Sequence, residues 1–222
     1  MATTRGLYAI LCFDACARRG LPPREVGRAL LEAGPAFFQV RAKDRSSAEV
    51  LPILHEMRTL TRERGIPFFV NDRADWAASC GADGVHVGQG DLPVAAVHAR
   101  FPQLAVGVST HDEVQLRAAI EERPRYVALG PIFATASKAH HERPLGLSEL
   151  ERLARLPREA GLPLVAIGGL EGSAVGQALA AADAAALISA LLPEPGEPAS
   201  GGLQQLVLAR VQAAFGARFS SS

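Results

Sequence analysis

The sequence predicts an α/β protein of the single (β/α)8 class, a TIM barrel with parallel strands, on three observations. Short apolar runs alternate with helix-type segments from end to end, eight times in 222 residues. The strand runs are nearly continuous apolar stretches, as parallel strands covered by helices require. Most connections are short, which lets eight successive units close on themselves. A doubly wound open sheet is the alternative that the same alternation permits.

The elements follow in chain order. "LYAILC" (7–12) is the first strand and "PPREVGRALLEAG" its helix, with Val26, Leu30 and Leu31 at helical spacing and Gly34 at the closing turn. "AFFQVR" (36–41) precedes "SSAEVLPILHEMRTLTRERG", where Pro52 is expected to kink or delay the helix and Gly65 ends it. "PFFV" (67–70) leads into "DWAASCG", and "GVHV" (84–87) into "PVAAVHARF". "LAVGVS" (104–109) leads into "HDEVQLRAAIEER". "RYVALG" (125–130) is followed, after a long loop from Gly130 to Pro144, by "LSELERLARLPREAG", with Leu147, Leu150 and Leu153 in phase and Gly161 at the end. "LPLVAIG" (162–168) leads into "SAVGQALAAA". The last strand, "AAALIS" (184–189), precedes a Pro/Gly-rich loop (193–202) and the final helix "LQQLVLARVQAAF". Only that helix and a serine tail follow the loop, too little for a second core, so residues 1–222 are expected to form one domain.

Bulk properties narrow the function classes. A chain 48% hydrophobic and 21% charged is too apolar for disorder. Zero formal net charge offers no global field to nucleic acid or an anionic membrane, so anion binding must come from local groups. Cys12, Cys16 and Cys80 are few, odd in number and set in or beside apolar segments, as incidental thiols of a reduced protein would be. "MATTRG" is too short to be a signal peptide, and no run is long enough to span a bilayer. The expectation is a cytoplasmic protein acting on small molecules, without nucleic-acid or membrane partners and with homo-oligomerisation left open.

The unusual polar residues fall at the C-terminal ends of the strands, where a parallel barrel gathers its chemistry. Gln39, Arg41 and Lys43 alternate with Val40 and Ala42, so period two puts them on one face. Asn71 and Asp72 follow the third strand. The fourth carries His86 and leads to Gln89 and Asp91, and the fifth ends at Ser109 with His111 just beyond. The long loop holds Thr135, Ser137 and Lys138. Gly168 and Gly169 follow the seventh strand, and Ile188 and Ser189 end the eighth. Each has a plain structural reading: Asp72 and Asp91 could cap the next helices, His86 could be a core histidine, and paired glycines suit any tight turn. Convergence on one barrel mouth favours a joint reading. Mg²⁺ is usually held by one or two carboxylates plus substrate phosphate oxygens, which Asp72 and Asp91 could supply. Arg41, Lys43 and Lys138 would neutralise the remaining phosphate charge. Gly168–Gly169 and Ser189 lie where barrels often bind a second phosphate.

In this order "QVRAKD", "VNDRADWA", "GADGVHVGQGDLP", "GVSTH", "GPIFATASK", "LPLVAIGGL" and "ALISALL" resemble the segments of the thiamine phosphate synthase family, from about Tyr8 to Leu192. The resemblance implies a transferase that joins a hydroxymethylpyrimidine diphosphate to a thiazole phosphate (or its carboxylated form), with Mg²⁺, giving thiamine phosphate and diphosphate. It implies diphosphate binding by Arg41, Lys43, Asn71 and Lys138, and metal binding by Asp72 and Asp91. Gln39, His86 and Ser109 would face the pyrimidine and its leaving group. Arg41, Lys43, Lys138 and Ser109 are the expected catalytic residues. Thr135 and Ser137 would lie at the thiazole phosphate side, with Gly169, Ile188 and Ser189 holding that phosphate. The 130–144 loop is read as a lid carrying Lys138. Related thiazole tautomerases are the alternative enzyme class, for which His111 stands at the acid/base position, and a non-catalytic phosphate-binding barrel is the third reading. Departures are small: Ser137 stands where threonine is frequent, and Leu170 where isoleucine is usual.

Overall fold

A computed structural model describes residues 5–134, 143–197 and 202–216. The eight expected strands form: β1 (Gly6–Cys12), β2 (Phe37–Arg41), β3 (Phe68–Asn71), β4 (Gly84–Val87), β5 (Ala105–Thr110), β6 (Tyr126–Leu129), β7 (Leu164–Ile167) and β8 (Ala184–Leu187). Each pairs in parallel with the next, and β1 pairs with β8, closing the barrel. The open doubly wound sheet is thereby excluded. No helix among the described residues is long and apolar enough to cross a membrane.

Ten α-helices are described where eight were expected: α1 (Phe13–Arg18), α2 (Pro23–Glu32), α3 (Ser47–Glu63), α4 (Ala74–Cys80), α5 (Val94–Arg100), α6 (Glu113–Glu121), α7 (Gly146–Leu153), α8 (Arg155–Glu159), α9 (Ser173–Ala181) and α10 (Gly202–Phe215). The helix expected in "LSELERLARLPREAG" is divided into α7 and α8 at Ala154. The other addition, α1, is too short to show a period, and burial of Phe13, Ala15 and Cys16 holds it against the barrel. Pro52 does not interrupt α3, which starts at the Ser46 cap. Pro52 is on the exposed face, where the carbonyl it leaves unpaired can meet water.

Period two divides each strand between the barrel interior and the helix layer. Leu7, Leu11, Phe38, Val40, Val85 and Val106 belong to the large cluster under the helices. Tyr8, Phe37, Phe69 and Tyr126 form a second cluster inside the barrel. The ring centroids of Phe69 and Tyr126 lie 5.3 Å apart, and those of Tyr8 and Tyr126 5.7 Å. These rings fill the lower interior and leave the strand C-terminal ends open. Small residues make the room: a Cβ on Gly107 would lie 2.1 Å from Tyr126 Cζ. Gly107→Ala is therefore expected to cost about 1–3 kcal/mol by overpacking, read as a lower denaturation midpoint in urea. An unchanged midpoint would mean that the ring moves aside without cost.

Candidate active site

The open end of the barrel is a cavity of about 510 Å³, the size of an ordinary small-molecule site. Its wall on the β2–β5 side holds Gln39, Arg41 and Lys43, then Asn71, Asp72, His86, Asp91 and Ser109. On the opposite side are Gly168 and Gly169 after β7, and Ile188 and Ser189 after β8. Eleven expected site residues are thus brought to one cavity: Gln39, Arg41, Lys43, Asn71, Asp72, His86, Asp91, Ser109, Gly169, Ile188 and Ser189. The remaining three, Thr135, Ser137 and Lys138, lie outside the described residues, as does the middle of the expected lid.

Neither aspartate is a helix cap. The caps of α4 and α5 are Arg73 and Pro93, and neither makes a side-chain cap bond. Asp72 takes a left-handed backbone, φ 61°, a conformation that aspartate tolerates better than bulky residues. Its N–H donates to the His86 carbonyl (2.8 Å), which fixes this turn to β4. Its carboxylate pairs with Lys43 Nζ at 3.1 Å. Asp91 Oδ2 accepts from the Gly88 N–H at 2.7 Å, so the loop after β4 folds back on itself. Burial, and then the charge of Asp91, push the Asp72 carboxyl above the usual range, against the pull of Lys43. Two like charges held together with one part-exposed lysine leave negative charge uncompensated, and a divalent cation suits that donor set. Among the described residues there is no group of three or more potential metal-binding side chains.

The sign of this shift makes a stability prediction. Folding raises the Asp72 pKa, so the stability that this one protonated carboxyl contributes in the metal-free protein is fully present below the ordinary carboxylate range and is lost as pH rises through the folded value. Asp91→Asn keeps an acceptor for Gly88 and removes the repulsion. At neutral pH with excess chelator its Tm should exceed that of the wild type by roughly 2–4 °C, as about 1 kcal/mol produces in a chain of this size. An equal or lower Tm would mean that the two carboxylates do not repel.

Arg41 is largely buried, and its Nη1 lies 3.2 Å from Asp14 Oδ2 and 3.5 Å from Cys12 Sγ. Asp14 was not among the expected residues, because nothing in the sequence marks an acid on α1 as a partner of β2. Arg18 and Arg19 were also missed, although both line the cavity. Arg19 pairs with Glu194 (3.2 Å). Recognising α1 would have pointed to them, since it follows β1 at the same barrel end.

A chain of hydrogen bonds runs along the interior beneath the cavity. Gln39 Nε2 donates to Asn71 Oδ1 (3.0 Å), and the Tyr8 hydroxyl to Gln39 Oε1 (2.8 Å). The two tyrosine hydroxyls are 2.6 Å apart. Tyr126 then meets His86 Nδ1 at 2.8 Å, and His86 Nε2 meets Ser109 Oγ at 2.8 Å. Burial pushes the pKa values of both phenols up, so both keep their protons at neutral pH. His86 is thus on the cavity wall, and its ring also stacks on Tyr126.

The turn after β7 demands glycine. Gly168 and Gly169 have φ of 98° and 64°, and a Cβ on either would come within 3 Å of the 131–134 segment. Phe133 N–H donates to the Gly168 carbonyl (2.9 Å), and Gly146 N–H to that of Ile132 (2.9 Å), so both described stems of the long loop are anchored at the mouth. His111 lines the cavity with Nδ1 on the Gly130 carbonyl. Trp76 has a structural role, its Nε1–H donating to Ser47 (2.9 Å).

A parallel barrel whose mouth combines paired carboxylates, cations and a glycine turn defines the class of phosphate-handling barrel enzymes. The family model described as thiamine monophosphate synthase matches residues 7–191, and the chain belongs to this family. A thiamine-phosphate synthase of Chloroflexus aurantiacus is 37% identical over 187 residues, 84% of each chain. One from Methanoregula boonei is 37% identical over 191 residues, covering 85% of this chain and 86% of the other. The solved thiamine phosphate pyrophosphorylase of Pyrococcus furiosus superposes with a TM-score of 0.77 at 29% identity, over 96% of this chain and 98% of its own.

Proposed function

We propose that this chain is a thiamine-phosphate synthase: a transferase that displaces diphosphate from a hydroxymethylpyrimidine diphosphate by the ring nitrogen of a thiazole phosphate. Family membership supports the reaction. The observation that carries the site is the convergence of Arg41, Lys43, Asn71, Asp72 and Asp91 on one wall, facing the Gly168–Gly169 turn and Ser189. The tautomerase reading leaves that group of five without a task.

Arg41, Lys43 and Asn71 would bind the diphosphate, with Lys138 contributing from the long loop, and the hydroxyls of Thr135 and Ser137 would lie at the thiazole phosphate side. Gly169, Ile188 and Ser189 would hold the thiazole phosphate. Asp72 and Asp91 would hold Mg²⁺, which when bound supplies positive charge to the leaving diphosphate. The thiazole nitrogen is already a nucleophile, so the protein need not supply a base. Its work is to orient the two substrates and to stabilise charge growing on the leaving group with cations already in place. Gln39, His86 and Ser109 would face the pyrimidine.

We read the whole chain as one domain, because its strands run from Gly6 to Leu187 in one barrel and α10 packs back on α2. A cytoplasmic location suits three free, buried cysteines. The test is formation of thiamine phosphate from the two substrates with Mg²⁺ and with excess chelator. Metal-dependent product is expected. A folded protein that makes no product but isomerises the thiazole phosphate would replace this reading with the tautomerase.

A further inference from the structure

We propose that Tyr8 and Tyr126 are positioning residues that couple the two ends of the cavity wall. An anion at Asn71 would hold the buried hydrogen-bond chain in one of its two directions, and so fix the His86 tautomer and make Ser109 an acceptor toward the cavity. This rests on the reading that the diphosphate lies at Asn71.

The argument is one of proton counting along Asn71, Gln39, Tyr8, Tyr126, His86 and Ser109, whose successive contacts are 2.6–3.0 Å. Each hydroxyl has one proton and each side-chain amide one donor end and one acceptor end. With a neutral imidazole, the chain is therefore self-consistent in only two directions. In the first, the one that the amide orientations of Gln39 and Asn71 show, Gln39 donates to Asn71 Oδ1, Tyr8 to Gln39, Tyr126 to Tyr8, His86 Nδ1–H to Tyr126, and Ser109 to His86 Nε2. Asn71 then offers its NH₂ to the cavity, and Ser109 offers oxygen lone pairs. In the second, both amides are turned over and every donor and acceptor is exchanged: Asn71 offers a carbonyl and Ser109 a hydroxyl proton.

A diphosphate beside Asn71 requires a donor there and selects the first direction. The same direction suits the reaction at the other end. As diphosphate departs, positive charge spreads from the methylene into the pyrimidine and its exocyclic amine, whose N–H groups become stronger donors. An accepting Ser109 Oγ stabilises them without any proton being transferred. Tyr8 and Tyr126 are 1% and 0% exposed and do not line the cavity, so their hydroxyls act only through the chain.

The test is ring ¹⁵N NMR of histidine-labelled full-length protein, with His86 assigned by its loss in His86→Asn. Inorganic diphosphate with Mg²⁺ is the probe, and ³¹P NMR reports its binding independently. With diphosphate bound, the Nδ1–H tautomer of His86 should exceed the Nε2–H tautomer by about tenfold or more, the scale of one hydrogen-bond preference. Tyr8→Phe should bind diphosphate as tightly yet lose that bias, and its kcat should fall about tenfold with both KM values within about twofold. Tyr126→Phe cuts the next link and should behave alike, which covers a failure of either variant to fold. An Nε2–H or doubly protonated ring with diphosphate bound would overturn the coupling, as would an unaltered bias in the tyrosine variants. Absence of diphosphate binding in ³¹P spectra would instead remove the proposed site, and the coupling with it.

Discussion

Asp91→Ala should lower turnover by about a thousandfold while leaving the fold nearly as stable as before. The size follows from removing one of two carboxylates proposed to hold the cation that offsets charge on the leaving diphosphate, where a single electrostatic contact is typically worth a hundred- to a thousandfold. Stability changes little because two effects oppose each other. Losing the acceptor for Gly88 N–H costs about 1 kcal/mol, whereas losing the Asp91 charge, which acts beside burial in raising the Asp72 pKa, offsets part of that cost. Turnover at saturating substrates over a range of Mg²⁺, beside a thermal melt, separates the two. A variant with full Mg²⁺-dependent activity would sink the metal assignment, and one that unfolds at room temperature would make Asp91 a structural residue.

Arg41→Lys should cost about a hundredfold in kcat, although the charge is kept. Arg41 is only 9% exposed, and one end of its fork is held by Asp14 at 3.2 Å. A lysine ammonium cannot pair with Asp14 and present a second, parallel donor to a phosphate oxygen at once. The fold should tolerate the change, because Asp14 is part-exposed and Arg45 lies 3.8 Å from its other oxygen. Asp14→Asn, which loosens the same guanidinium without removing it, should cost less than Arg41→Lys. Wild-type kcat in Arg41→Lys would exclude a bidentate contact and leave Arg41 as a general positive charge.

Much of this site was legible because period two and βα order are local properties. Gln39 and Arg41 share a face in any strand that contains both, and parallel closure carries that face to the mouth. Strand ends differed from expectation by only one or two residues, as at β3, expected at 67–70 and found at Phe68–Asn71. What remained hidden depended on separation. Tyr8 and Tyr126 are 118 residues apart, and a tyrosine in an apolar strand looks like any other core aromatic. Asp14 and Arg18 lie on α1, too short to show a helical period.

The sequence alone determined the order of the eight units, their parallel pairing, and which side chains point inward, since alternating geometry and helix-covered apolar strands allow little else. It also determined which polar side chains reach the mouth, through the identities of the residues at the strand ends. Only the tertiary structure decided between capping and convergence for Asp72 and Asp91, because a carboxylate beside a helix start can do either. It also decided which hydroxyls, amides and imidazole nitrogens meet inside. Those contacts cross the barrel, and their distances follow from its closure and the packing of four aromatic rings rather than from spacing along the chain.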